Sequence, residues 1–134
     1  MKPTTHEETW PVQLEIPISV FKNLIVTVCE SRAITYWCNK VRPVSRFAPS
    51  VDHSTPWYCD EAFWKSDFQM AFFEFDDDGK KTKHHLGKNG MCRGLDILAA
   101  KYPHHFGDIM SGNDDMHTAD AWLQCCLFNE IKYG

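Results

Sequence analysis

The dipeptide Asp78-Gly79 constrains this chain more than any other pair of residues. Asp followed by Gly supplies the positive φ that a tight antiparallel turn needs. The stretch before it, Gln69 to Phe75, is rich in aromatic residues and reads as a strand. The stretch after it, Lys80 to Leu86, is polar and reads as the returning strand, facing solvent, with Gly87 and Gly90 breaking it. The middle of the chain is therefore committed to an antiparallel pair, and the rest must pack around it.

Upstream, Val12 to Ile16 alternates apolar and polar residues, which predicts a half-buried strand ending at Pro17. Ser19 is the expected N-cap of a helix over 20–31, with Phe21, Leu24, Ile25 and Val28 on its inner face. Ala33 to Val41 predicts another strand, with Ile34, Tyr36 and Cys38 on one face and Thr35, Trp37 and Asn39 on the other. Residues 42–56 hold three prolines and no period, and read as a long irregular loop. Downstream, Met91, Leu95, Leu98, Ala99 and Tyr102 recur at helical spacing until Pro103. A short turn or helix spans 104–110. Asp114 or Asp115 then caps a last helix to about Asn129, with an inner stripe of Met116, Ala119, Leu123 and Leu127. The expected fold class is α+β: an antiparallel sheet of about four strands with about three helices packed on one face. At 134 residues the chain is read as one domain over 1–134, with 1–11 as a loose N-terminal tail.

With 14 basic against 18 acidic residues the net charge is −4, which argues against a basic protein tracking nucleic-acid phosphates. No apolar run is long enough to span a bilayer and the polar start has no signal-peptide pattern, so the expectation is a soluble protein of the cytosol without a membrane partner. The six cysteines contain no CxxC spacing and read as reduced, mostly buried thiols. Catalytic signatures such as GxSxG, a Walker loop or HExxH are absent, so no catalytic residue, metal or cofactor is assigned. Cys59 near His53, and the i,i+4 pair His104 and Asp108, are the least implausible groups for chemistry. The reading leans away from an enzyme.

Two stretches carry a resemblance. One is Glu30 followed by Tyr36-Trp37-Cys38. The other runs Asp114-Asp115, Thr118-Ala119-Asp120, Leu123-Gln124, Leu127-Phe128, Glu130 and Tyr133-Gly134, led in by Lys101-Tyr102-Pro103 and Phe106. Together they resemble a family of small uncharacterised proteins of phages and prophages. Where that family has a glycine pair after the glutamate, this chain has Ser31-Arg32. The resemblance implies accessory work in a host cytosol: evading a defence, sequestering a signal molecule or modifying host machinery. The C-terminal pattern itself is accounted for mostly by capping and core spacing.

The aromatic segment with nearby cations is the most informative feature for function. Arg42 and Arg46 precede Trp57, Tyr58 and Trp64, and Trp37 leads into the same region. Guanidinium groups fork onto phosphates and aromatic faces stack on bases. Three readings stay open: an aromatic core, a ligand pocket, and a surface for a protein partner. The leading expectation is a binding protein that sequesters a nucleotide-like small molecule as a homo-oligomer, and not a sequence-specific nucleic-acid binder. Its site would be Trp37, Arg42, Arg46, Trp57, Tyr58 and Trp64. The alternative is a protein-directed inhibitor of a host defence complex, of anti-CRISPR type. A small enzyme using Cys59 or a His/Asp pair is third.

Overall fold

The computed structural model describes residues 7–48 and 54–134. Three strands, β1 (Cys38–Pro43), β2 (Met70–Phe75) and β3 (Lys81–Leu86), form one antiparallel sheet in the order β1-β2-β3. Five helices accompany it: α1 (Ile18–Glu30), α2 (Glu61–Lys65), α3 (Lys88–Lys101), α4 (Pro103–Ser111) and α5 (Met116–Phe128). A 3-10 turn spans Trp57–Cys59. The class is the α+β arrangement expected, with three strands where about four were expected.

The missing strand is Val12–Ile16. The segment is extended, yet among the described residues it joins no ladder, and Trp10, Val12 and Leu14 are exposed. Alternation fixes which side chains share a face but does not supply a neighbouring edge. The helix after it begins at Ile18, with Pro17 rather than Ser19 at the N-cap position. Ala33 to Trp37 forms a turn instead of a strand, with Trp37 N–H and Cys38 N–H both donating to Ile34 O. That turn brings Ala33, Ile34 and Trp37 into the core together, whereas a strand would have put Ile34 and Trp37 on opposite faces. The expected loop starts later, because β1 continues to Pro43, and its residues 49–53, including His53, lie outside the described residues.

The hairpin forms where the sequence placed it. Gly79 takes φ 79°, and Asp76 Oδ1 accepts from the N–H groups of Asp78 and Lys80. Met70, Phe72 and Glu74 face the helices, and Ala71, Phe73 and Phe75 face the other way. On the core side, α5 is buried all round from Thr118 to Cys126, so it is the central helix and not a one-sided one. Its expected stripe was too narrow: Met116 is exposed and Leu127 half-buried. Helix α3 lies against it so closely that a Cβ on Gly94 would sit 2.2 Å from Cys126 Sγ. Asp115 caps α5, accepting from His117 N and Thr118 N.

A polar network closes the core. Asp120 accepts from Tyr36 Oη at 2.7 Å, Trp37 Nε1 at 2.9 Å and Gln124 Nε2 at 2.9 Å. Gln124 Oε1 in turn accepts from the N–H groups of Lys132 and Tyr133, at 2.8 and 2.7 Å. The chain after α5 thus folds back, and Tyr133 stacks on Trp37 with centroids 5.8 Å apart. Lys132 Nζ lies 2.6 Å from Glu74 Oε2, which Tyr133 Oη also reaches, while His84 Nε2 is 2.8 Å from Oε1. Burial pushes the Glu74 carboxyl up, but the bonds from Lys132, Tyr133 and His84 outweigh it and hold the group at about 2.

Candidate functional site

The cations and aromatics picked out from the sequence separate into three places. Trp37 is fully buried, with its N–H spent on Asp120 and its ring packed between Phe128 and Tyr133. It offers no face to a ligand. Trp57, Tyr58 and Trp64 do come together, around the buried ring of Phe63, to which Trp57 and Trp64 pack edge-on at 5.0 and 5.5 Å. Trp64 Nε1 donates to Tyr58 O at 2.8 Å and Tyr58 Oη to Glu30 Oε2 at 3.2 Å, so their polar atoms have partners inside the protein. Burial, with Glu30 beside it, pushes the Tyr58 hydroxyl up to about 12. Trp57 and Tyr58 also border a cleft of about 230 Å³ between the end of α1 and β1, alongside Cys29, Cys38 and Lys40. Arg46 is exposed beyond the end of β1.

Arg42 lies elsewhere, on the outer face of the sheet, 5.1 Å from the centroid of the Phe73 ring. Lys40 and Lys83 lie over the same ring at 5.7 and 5.8 Å. The register explains the convergence. Phe73 pairs with Lys40 on one side and Lys83 on the other, while Arg42, Ala71 and His85 form the next row and Phe75 pairs with Lys81. Side chains in one row across a sheet share a face, so this face collects four cations and a histidine around two phenylalanines. Lys40, Arg42, Lys81, Lys83 and His85 are exposed, and Phe73 is partly so. Among the described residues none of Lys40, Arg42 and Lys83 forms a salt bridge.

Three cations around one ring repel one another, and the ring quadrupole returns only about 0.5–1 kcal/mol per exposed contact. An anion placed among them would relieve that repulsion. Lys40 also borders the cleft of Trp57 and Tyr58, so the two places are contiguous there. Phe73, Lys40 and Lys83 escaped the sequence reading because their grouping depends on strand register. The loop Asp77-Asp78-Gly79, closed by Asp76 N–H donating to Lys80 O, sets Phe73 opposite Lys83; a two-residue turn on Asp78-Gly79 would have set it opposite His84.

Comparison with protein-family models, with curated proteins and with solved structures returned no match. Among the described residues, no group of three or more His, Cys, Asp or Glu is placed to hold a metal ion. No helix is long and apolar enough to cross a membrane.

Proposed function

We infer that this is a binding protein for a phosphate-bearing, ring-containing small molecule of nucleotide type, taken up on the outer face of the sheet. The observation that carries the reading is the set of three cations within 6 Å of the Phe73 centroid, none of them in a salt bridge among the described residues. Arg42 forks onto phosphate oxygens, Lys40 and Lys83 add compact charge, and Phe73 stacks on the ring of the ligand. The resemblance to phage and prophage proteins gives such binding a purpose, the sequestration of a defence signal. The cation set needs no catalytic group to do this.

Titration calorimetry with a nucleoside triphosphate and with a cyclic dinucleotide tests the reading. Phe73→Ala and Arg42→Ala are each expected to weaken binding about tenfold, the scale of one stacking contact or one charge-assisted bond. Weakening by Trp57→Ala instead, with Phe73→Ala unchanged, places the ligand in the neighbouring cleft. Absence of binding to both probes, with capture of an identified host defence protein that Arg42→Ala disrupts, favours the protein-directed inhibitor.

A further inference from the structure

The strand that the sequence promises and the fold leaves unpaired is the starting point. Residues 7–15 are exposed without interruption and include Trp10, Val12 and Leu14, 85, 80 and 61% accessible. Large apolar side chains grouped in this way mark a contact surface. In its own chain Val12, Leu14 and Ile16 border a cleft with Leu95, Ala99 and Phe106 of α3 and α4.

The sheet ends in β3, and the hairpin tells which of its backbone groups are free. Asp76 N–H donates to Lys80 O, so Thr82, His84 and Leu86 are the residues that bond to β2. Lys81, Lys83 and His85 therefore aim their N–H and C=O groups out of the edge. Their side chains lie on the outer face. A strand added antiparallel to β3 bonds through residues that share that face. In the arm the polar set is Gln13 and Glu15, and the apolar set is Val12, Leu14 and Ile16. Placing Gln13 and Glu15 toward β3 sets Glu15 beside the lysines. It turns Val12 and Leu14 to the helix side, where the half-buried Phe128 packs on His84. Pro11, which cannot donate, falls at the end of such a ladder. The lysines also prevent two β3 edges from pairing with each other, while leaving an acidic strand welcome.

We propose that the arm of a second copy of this chain adds to β3 as a fourth strand, and that two copies exchange arms reciprocally in a two-fold dimer. The exchange rests on the free backbone groups of β3 and not on the ligand reading, and Glu15 and an anionic ligand would compete for the lysines of β3.

Light scattering with size-exclusion chromatography on the full chain tests it. The wild type is expected to run at twice the protomer mass at high concentration and to dissociate on dilution. Gln13→Pro, which removes one exposed N–H, is expected to give the monomer, and Gln13→Ala to remain dimeric. Glu15→Lys and Lys81→Glu should each weaken the dimer, and the two combined should restore it. A wild type that stays monomeric at every concentration, or a dimer that Gln13→Pro leaves intact, overturns the proposal.

Discussion

Asp120 takes on three donors, and among the described residues Trp37 Nε1 has no other acceptor. Removing the carboxylate strands a buried indole N–H, and stranded buried donors cost about 1–3 kcal/mol each. Asp120→Ala is therefore expected to lower unfolding stability in urea by about 3 kcal/mol or more. Tyr36→Phe removes the Asp120 bond and two longer contacts, to Tyr133 O at 3.4 Å and from Gln124 Nε2 at 3.3 Å, but leaves the carboxylate two other donors, so about 1 kcal/mol is expected. Equal losses from both variants would mean that Tyr36, not the indole, anchors the network. Tyr36, Trp37, Asp120, Gln124 and Tyr133 are joined to one another by the bonds and the ring stacking described above. Within this molecule they bond chiefly to each other.

Helices α3 and α5 meet at Gly94, where the Cβ of any other residue would lie 2.9 Å from Cys126 Cα as well as against its sulfur. Backbone cannot move aside as a flexible side chain can. Gly94→Ala is expected to cost about 1–3 kcal/mol in chemical denaturation, the range for overpacking a tight core. A melting point unchanged by that substitution would show that the two helices can separate freely. Elements of this kind were legible in the sequence to differing degrees. Helix α3 and the hairpin were readable because their signals are local, namely apolar spacing and Asp78-Gly79. The turn at Ala33–Trp37 was not, because its residues suit a strand locally and only burial of Trp37 against Phe128 and Tyr133, distant in sequence, decides. The same limit hid the outer-face site. Arg42 was visible as a phosphate-type cation, but its neighbours Phe73 and Lys83 become neighbours only once strands are aligned.

At the scale of the molecule, Glu74 ties the sheet to the segment after α5 through Lys132 and Tyr133. Its carboxyl is held at about 2 in the fold against 4.5 ordinarily. A depressed carboxylate contributes stability that is complete above its ordinary value and lost as pH falls through the folded one. Stability is therefore expected to decline between about pH 4.5 and pH 2. Urea midpoints at pH 6 and pH 3 should differ less in Glu74→Gln than in the wild type. An identical acid response would assign the decline to other carboxylates.

The outer face of the sheet has one more consequence. The net charge is −4, and Lys40, Arg42, Lys81 and Lys83 all stand on one surface, which leaves the remainder of the molecule at −8. Such a protein has two electrical sides. On a chromatography column at neutral pH it would be held by an anion exchanger through most of its surface and, at low salt, by a cation exchanger through the sheet. A protein of its size and net charge with mixed signs everywhere would ignore the second resin.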